Sequence, residues 1–445
     1  MLYDKIFKAY DIRGTYPDQL NEETYYQIGR AIVSEFKPKT VAIGRDVRPS
    51  SPSLYEALAR GITESGASVV NLGITSTPMV YFAASRVAAD MFVSLTASHN
   101  PPVYNGLKLC HSGGLPVGEK TGLLAMKQRI LSGDLLPMAE AKGAVTEHDL
   151  YTAYHNFFAS YATFGDTPFK LVIDCANAMG VLELPIYERF PNLEVTYLYR
   201  DLDHAFGAHE ANPLNLETLD ELRAKVVEVG ADLGIAYDGD ADRVGFVDER
   251  GEIIPMDLMT GLLATEVLKA KPGSTILYDL RSSRAVKEAI EEAGGTAVEC
   301  MVGHANIKRQ MREVNSPFAG ELSGHYYFAE NSGCEAGTLP ALMLLNQMAK
   351  TGAKISALVQ NLRRYAHSGE INSTVADKDA VLKALEEKYA DGKISHLDGI
   401  KVDYSDWWFN VRASNTEPLL RLNLECRSVE ETEAKKAELL ALIRG

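Results

Sequence analysis

A chain of 445 residues is long enough, at roughly 150 residues per domain, for about three compact domains rather than one. Apolar residues make up 46% and charged residues 24%, ordinary globular usage that leaves no support for a disordered, collagen-like or coiled-coil chain. Forty-five Lys plus Arg against 60 Asp plus Glu give a formal charge of -15, which repels a polyanion and makes nucleic acid an unexpected partner. Small phosphates stay open, because a few converging Arg and Lys side chains make a positive cleft even in an acidic protein. Cys110, Cys175, Cys300, Cys334 and Cys426 are scattered and form no C-x-x-C pair, so neither a disulfide framework nor a zinc site is expected. Asp4, Lys5, Lys8 and Asp11 interrupt any signal-peptide core, and no uncharged apolar run approaches the roughly 18 residues of a membrane span. The expected location is the cytoplasm, with no membrane partner.

Short β-rich runs alternate with helical patterns, which predicts βαβ units and mainly parallel sheets. The run Val41-Ala42-Ile43-Gly44 leads into an apolar stripe at Leu54, Ala57, Leu58, Gly61 and Ile62, spaced as one helix face. Strand-like runs follow at Val69-Val70-Asn71-Leu72 and Phe92-Val93-Ser94-Leu95. The order restarts at Leu171-Val172-Ile173, passes a helix with Leu219, Leu222, Val226 and Val227 on its face, and reaches Leu233-Gly234-Ile235-Ala236. It restarts again at Thr275-Ile276-Leu277-Tyr278, with a helix around Ala285 to Ala293 and a run at Ala297-Val298-Glu299. Three similar mixed α/β domains are implied. Each restart strand runs shortly into an aspartate, Asp46, Asp174 or Asp279, which hints at an internal repeat. Past residue 367 the order changes to a strand near Ile371 to Val375 and a helix carrying Val381, Leu382, Leu385 and Tyr389. Strands at Trp407 to Val411 and Leu419 to Cys426 and a last helix complete a smaller α+β domain. Turn-rich and polar stretches set the expected domains at 1–148, 149–251, 252–367 and 368–445.

The most specific acidic cluster is Asp238-Gly239-Asp240-Ala241-Asp242-Arg243, directly after an apolar strand. Carboxylates at i, i+2 and i+4 on a loop can converge on one hard cation such as Mg²⁺. Asp238, Asp240, Asp242 and Glu249 also match four ligand positions of an EF-hand calcium loop, but Arg243 stands where that loop needs Gly and the apolar run Val244 to Val247 fills its second half. The segment Thr96-Ala97-Ser98-His99-Asn100-Pro101-Pro102 ends a strand, where α/β units present reactive groups. A serine-hydrolase elbow is disfavoured there, since G-x-S-x-G is absent and two prolines prevent a helix from starting directly after the serine. Gly320-Glu321-Leu322-Ser323-Gly324-His325 sets an acid, a hydroxyl and an imidazole between glycines, chemistry suited to vicinal sugar hydroxyls. Arg412-Ala413-Ser414-Asn415-Thr416-Glu417-Pro418 is a phosphate cradle by composition. Taken singly, the last three segments read equally well as polar turns.

Together and in this order, the four segments resemble the α-D-phosphohexomutase family over essentially the whole chain. Its phosphoserine loop is similar to Thr96 to Pro102, its magnesium loop to Asp238 to Arg243, its sugar loop to Gly320 to His325 and its phosphate loop to Arg412 to Pro418. Tyr10-Asp11-Ile12-Arg13-Gly14, Lys108 and Gly303-His304 add to the match. The third and fourth segments look more like the phosphomannomutase/phosphoglucomutase branch than the phosphoglucosamine branch. Two departures stand out: Cys334-Glu335-Ala336-Gly337 follows the sugar loop where the branch commonly has Asp-Asp-Gly, and Arg281 stands where relatives often carry lysine.

The resemblance implies a reversible mutase that moves phosphate between O1 and O6 of a hexose through phosphorylated Ser98, with a hexose 1,6-bisphosphate as activator and intermediate. Mg²⁺ would be held by the Ser98 phosphate with Asp238, Asp240 and Asp242. Arg13 and Arg243 would stabilise the flanking oxygens, and Lys108, shifted by neighbouring cations, would exchange the proton of the reacting hydroxyl, with His99 and His304 as alternatives. Glu321 and Ser323 would grip the middle hydroxyls, while Arg412, Ser414, Asn415 and Thr416 hold the phosphate that is not reacting. Tyr10, Arg281, His304, His325 and Arg421 complete the expected substrate contacts. Mannose phosphates, and glucose phosphates beside them, are the expected partners of a monomer or weak dimer. A phosphoglucosamine mutase, a magnesium-dependent sugar phosphatase and a non-catalytic sugar-phosphate or calcium-binding module are the alternatives.

Overall fold

Buried apolar runs pair in the same order three times along the chain. The computed structural model describes residues 2–203, 207–413 and 419–445. Strands β1 (Ile12–Thr15), β2 (Thr40–Arg45), β3 (Ser68–Ile74), β4 (Met91–Leu95), β5 (Tyr104–His111) and β6 (Val145–Glu147) form a first sheet in the order β1-β5-β4-β2-β3-β6. Strands β7 (Phe169–Asp174), β8 (Leu193–Leu198), β9 (Leu233–Tyr237), β10 (Val244–Asp248) and β11 (Ile253–Ile254) form a second, ordered β11-β10-β9-β7-β8. Strands β12 (Thr275–Asp279), β13 (Thr296–Cys300), β14 (Phe318–Gly320), β15 (Tyr326–Phe328) and β16 (Cys334–Glu335) form a third, ordered β13-β12-β14-β15-β16. In each sheet the opening strand pairs in parallel with the next two in the unit, and the strand after those turns back antiparallel.

The sheets are therefore mixed rather than mainly parallel. Apart from β10, whose run Val244 to Val247 is apolar, the antiparallel strands escape an apolar-run reading because they are short or carry polar residues for a purpose: β5 holds Asn105 and Lys108, both buried. The recurring hairpin also relates the motifs to one another. The Ser98 segment joins β4 to β5, the Asp238 segment joins β9 to β10, and the Glu321 segment joins β14 to β15. All three are the same turn of the repeat, at the C-terminal end of a central strand, which is where open α/β sheets present ligands.

The restart aspartates are equivalent as well. Asp46, Asp174 and Asp279 are buried, and each accepts through Oδ1 from the backbone N–H two residues on, at 3.0, 2.9 and 2.7 Å. An Asx-type turn ends each opening strand, leaving Oδ2 for a cation: Arg48 Nε at 3.0 Å, His209 Nε2 at 3.1 Å and Arg281 Nη2 at 2.6 Å.

The last sheet is antiparallel, built from β17 (Ala366–His367), β18 (Ile371–Thr374), β19 (Lys393–Ser395), β20 (Ile400–Asp403), β21 (Trp408–Ala413) and β22 (Leu419–Cys426). β17, β19 and β20 add to the strands expected from sequence; they are two to four residues long, too short for a periodic signal. The helices Lys378–Lys388 and Val429–Arg444 pack Leu385, Leu439 and Ile443 into this domain's own core. In the second unit, the helix Asp220–Val229 buries Leu222 and Val226, with Leu219 in the turn before it, whereas Val227 is 58% exposed. One residue turns a helix by about 100°, which carries Val227 off the buried face. Among the described residues no helix is long and apolar enough to cross a membrane.

The first three sheets meet at one buried carboxylate. Glu183 accepts from Ser76 Oγ at 2.9 Å, from Tyr154 Oη at 3.0 Å and from Thr338 Oγ1 at 2.6 Å. Burial pushes its pKa up, against which the three hydroxyls hold the charged form. Glu183→Ala removes the shared acceptor and leaves three buried hydroxyls short of a partner, each worth about 1–3 kcal/mol. The expected result is a lower midpoint of thermal unfolding, corresponding to a loss of about 3 kcal/mol or more, and an unchanged midpoint would show that the domains are joined elsewhere.

Candidate active site

Ser98 sits at φ 53°, in the left-handed region that a non-glycine residue enters only when its surroundings hold it there. The buried guanidinium of Arg48 supplies that hold. Its Nη2 donates to Ser98 O at 2.7 Å and Asn100 O at 2.6 Å, and its Nη1 to Pro101 O at 2.6 Å and Tyr104 O at 3.0 Å. One planar cation thus satisfies four carbonyls of the turn and fixes the direction of the Ser98 side chain. Ser98 Oγ donates to Asp238 Oδ2 at 3.0 Å and lies 3.1 Å from His99 Nδ1. Burial, followed by Arg243 and Arg13, lowers the His99 pKa well below its ordinary value, so the ring is held neutral. Arg13 joins the turn by donating to Asn100 Oδ1 at 2.8 Å.

The acidic loop presses against this turn. A Cβ on Gly239 would lie 2.3 Å from Ser98 O, an approach that only glycine permits. Asp238, Asp240 and Asp242 are buried with a ligand oxygen from each within 4.8 Å of the others. Burial and then its two neighbours push the Asp238 pKa well up. Asp240 Oδ1 is buried and has no hydrogen-bond partner among the described residues. A buried, unpaired carboxylate oxygen in a triad of three is what a divalent cation satisfies, so the donor set fits a metal. Glu249, the fourth position of the calcium-loop reading, instead accepts from Ser356 Oγ at 2.5 Å, and β10 begins at Val244.

Lys108 corrects one expectation. Its neighbours are carboxylates rather than cations: Nζ donates to Asp240 Oδ2 at 2.7 Å and Asp242 Oδ2 at 2.5 Å. Burial works against the charge, but the two aspartates outweigh it and raise the Lys108 pKa. In this state Lys108 is an ammonium ion and not a base. Arg243 stands 3.8 Å from Asp238, and its Nε lies 3.4 Å from His325 Nε2.

The sugar-loop motif docks onto the acidic loop through a backbone bond, Val244 N to Gly324 O at 3.0 Å. His325 lies between Asp242 Oδ1 at 3.2 Å and Glu321 Oε2 at 3.3 Å. Burial opposes a charged ring, yet these carboxylates prevail and push its pKa up to about 9. Glu321 is held ionised, its burial outweighed by His325 and Arg281. It accepts from Gly303 N at 3.1 Å and Tyr327 Oη at 2.5 Å, while Ser323 Oγ meets His325 Nδ1 at 2.8 Å. Behind the loop, Glu335 forms a fully buried 2.6 Å ion pair with Lys308, whose Nζ also sits 3.6 Å over the Tyr81 ring. That pair supplies the packing at the Cys334-Glu335 departure. Lys308 lies 3.4 Å from His304 Nδ1, and burial and then Lys308 hold His304 neutral. Tyr10 packs edge-on against His304 at 5.9 Å and accepts from Asn306 Nδ2 at 3.1 Å.

At the far side, Arg281, Arg412 and Arg421 converge on a single carboxylate, Glu370, at 3.2, 2.9 and 3.2 Å. Ser414, Asn415 and Thr416 lie outside the described residues. Every other residue expected at the site falls into one of the two clusters joined by Arg281, whose Nη2 is 4.0 Å from Glu321 Oε1. Beside Ser98 is a cavity of about 220 Å³ lined by His99, Asn100, His209 and Gly239. Arg48, His209, Lys308 and Glu370 are the additions to the sequence reading. Only the Asp46-x-Arg48 and Asp279-x-Arg281 spacing left a signal, since the other partners are remote in sequence.

Four family models match the chain in order: Phosphoglucomutase/phosphomannomutase alpha/beta/alpha domain I at residues 4–133, domain II at 150–251, domain III at 255–365 and the C-terminal domain at 370–442. The chain is 38% identical to a phosphomannomutase of Salmonella typhimurium, with 98% of each chain covered. It is also 38% identical to a phosphomannomutase/phosphoglucomutase of Pseudomonas syringae, over 97% of this chain and 94% of that one. A solved structure of a phosphoglucomutase/phosphomannomutase family protein from Burkholderia thailandensis superposes with a TM-score of 0.90 at 32% identity, covering 99% and 98% of the two chains. These matches and the site define an isomerase of the hexose phosphate mutase class. The chain belongs to the phosphoglucomutase/phosphomannomutase family.

Proposed function

We propose that the protein interconverts the 6- and 1-phosphates of mannose and of glucose by way of a phosphoryl group carried on Ser98. The observation that carries this reading is Ser98 Oγ, in a strained turn, bonded to Asp238 at 3.0 Å and adjacent to neutral His99 at 3.1 Å. In the first transfer a sugar hydroxyl attacks the phosphorus, the bond to Ser98 Oγ breaks and the hydroxyl proton passes to a base. In the return transfer Ser98 Oγ attacks the other phosphate of the 1,6-bisphosphate. His99 Nδ1 is placed to take the Ser98 proton at that point. Lys108 keeps its proposed part in exchanging the sugar hydroxyl's proton, on the condition that Asp240 and Asp242 release its charge. Asp238, Asp240 and Asp242 would hold Mg²⁺, which supplies positive charge where the phosphoryl group is transferred. Arg13, bonded to Asn100, and Arg243, 3.8 Å from Asp238, are proposed to stabilise the phosphoryl oxygens.

The same molecule must then present its other end. Both phosphates use the same two places, so the middle hydroxyls have to be gripped in either orientation. Glu321 and Ser323, with His304 and His325 beside them and Tyr10 facing His304, are proposed for that grip; Arg281, Arg412 and Arg421, with Ser414, Asn415 and Thr416, are proposed for the resting phosphate. Domain divisions near residues 148, 251 and 368 are part of this reading; the sheets fall within those segments except for β11, which pairs with β10 across 251, and β17, which pairs with β22 across 368. Five unpaired, buried thiols support a cytoplasmic setting. A monomer or weak dimer suffices, because every group named comes from one chain. The second cradle around Arg412 favours a mutase over a phosphatase, which has no use for it.

Ser98→Ala is expected to fold and to lose several orders of magnitude of mutase turnover, because a methyl group cannot carry phosphate. Retention of more than about a tenth of the rate in a coupled assay would remove Ser98 from the mechanism. Asp240→Asn is expected to weaken Mg²⁺ binding measured calorimetrically and to lower activity in a way that excess Mg²⁺ restores only in part. Unchanged metal affinity would reduce the triad to a turn. Mannose and glucose phosphates differ only at C2, and the proposed grip reads O3 and O4. The efficiencies for the two 1-phosphates, with saturating glucose 1,6-bisphosphate, are expected within about two orders of magnitude, since one neutral hydrogen bond is worth about 0.5–1.5 kcal/mol. Inertness toward one sugar would show that C2 is read directly.

A further inference from the structure

Glu370 lies on the segment between β17 and β18, where the third unit passes into the last domain. Its Oε2 accepts from Arg281 Nη1 at 3.2 Å and Arg412 Nη2 at 2.9 Å, and its Oε1 from Arg421 Nη1 at 3.2 Å. Arg412 and Arg421 are directly opposed in the β21–β22 register. Like charges facing each other across two strands repel, so this part of the sheet needs an anion between them. Arg281 adds a third guanidinium, with Asp279 engaging its Nε and Nη2 and leaving Nη1 to Glu370. The carboxylate does not saturate the cluster: Arg412 Nε is buried and has no hydrogen-bond partner among the described residues. A phosphoryl group, with three terminal oxygens and up to two negative charges, matches these donors better than two carboxylate oxygens do. The three cations pull the Glu370 pKa down to about 2 against its burial, so an anion stands there throughout the working pH range.

We propose that Glu370 is an internal anion that fills the cradle of Arg281, Arg412 and Arg421 when no phosphate is there, and is exchanged for the resting phosphate of the substrate. This rests on the reading above that these arginines hold that phosphate. The exchange has a consequence for the turning of the bisphosphate. A phosphate leaving the three guanidiniums without Glu370 would have to overcome a stronger attraction, whereas one replaced by Glu370 leaves a partly neutralised site behind. Glu370 thus sets how tightly the cradle holds phosphate and lets it go between the two transfers. The carboxylate also ties Arg281 of the third unit to Arg412 and Arg421 of the last domain, so the incoming phosphate takes over that tie.

The test is the affinity of the whole enzyme for inorganic phosphate, measured calorimetrically in the wild type, Glu370→Gln and Arg421→Gln. If the carboxylate competes for the cradle, removing its charge tightens phosphate binding by the factor by which the filled cradle exceeds the open one, about tenfold. Equal or weaker binding in Glu370→Gln, with weaker binding in Arg421→Gln, overturns the exchange and leaves Glu370 as a strut for the arginines. Phosphate binding unaltered in Arg421→Gln sinks the underlying reading instead, whatever Glu370→Gln does. A measurement on the unmodified protein covers a variant that does not fold: carbodiimide labelling of Glu370, followed by peptide mass, is expected to rise when phosphate saturates the enzyme. Protection of Glu370 by phosphate overturns the proposal.

Discussion

Three carboxylates on one buried loop cannot all remain ionised without cations around them, and the centre of this molecule is arranged to supply those cations from different domains. Lys108 reaches Asp240 and Asp242 from β5, Arg243 and His325 close on Asp238 and Asp242, and Thr77 at the start of a helix in the first unit adds a neutral donor, its Oγ1 bonding the Asp240 carboxylate at 2.6 Å while its backbone N bonds the Asp240 carbonyl at 3.0 Å. The desolvation of a carboxylate costs several kcal/mol unless it is paired, so each of these contacts draws its domain toward the loop. The placement of Ser98 follows from the same requirement, since Gly239 brings its turn against the acids and Asp238 accepts its hydroxyl.

The repeat made this possible with little invention. One hairpin after one central strand is used three times, and its turn carries Ser98 in the first unit, the Asp238 triad in the second and Glu321 in the third. One aspartate at the end of each opening strand likewise served three ends: Asp46 fixes the guanidinium that grips the Ser98 turn, Asp174 holds His209 beside the cavity at Ser98, and Asp279 holds Arg281 between the sugar loop and the phosphate cradle. A polar side chain that merely ended a strand would need no buried cation. Asp46 and Asp279 each have one, Arg48 and Arg281, and Asp174 has the half-buried ring of His209, so these aspartates support the turns beside them and do not only punctuate the fold.

This explains which parts were legible in the sequence. Apolar runs and helix stripes report burial along one element, and β2, β4, β9, β12 and β22 follow from them directly. The acidic loop was readable because its three carboxylates are adjacent in sequence. β5 was not, because its polar residues serve neighbours across the sheet and across domains: the contact of Lys108 with Asp240 spans 132 positions. For the same reason the charge environment of Lys108 was inverted in the sequence reading, which placed the lysine among the cations of its own motif set and could not see that the acids would close around it. Glu183, Lys308 and Glu370 share that origin. Each is a charged residue whose partner lies on another element, and spacing records nothing of such pairs.

What remains is a polarity that the net charge conceals. The chain carries a formal charge of -15, yet the site divides into an anionic pole at Asp238, Asp240 and Asp242 and a cationic pole at Arg281, Arg412 and Arg421. An elongated substrate with phosphate at both ends would meet repulsion at the first pole without a cation, and excessive attraction at the second without an anion. Within this chain the first pole is tempered by Lys108 and the second by Glu370, so each end carries less charge before a ligand enters than its three like-charged side chains alone would give. Under the exchange proposed for Glu370, an incoming phosphate takes the place of an internal anion instead of leaving a charge open to water. Because that exchange would replace one ion pair by another, a phosphate at the cationic pole would not have to be held so firmly that it could not be released.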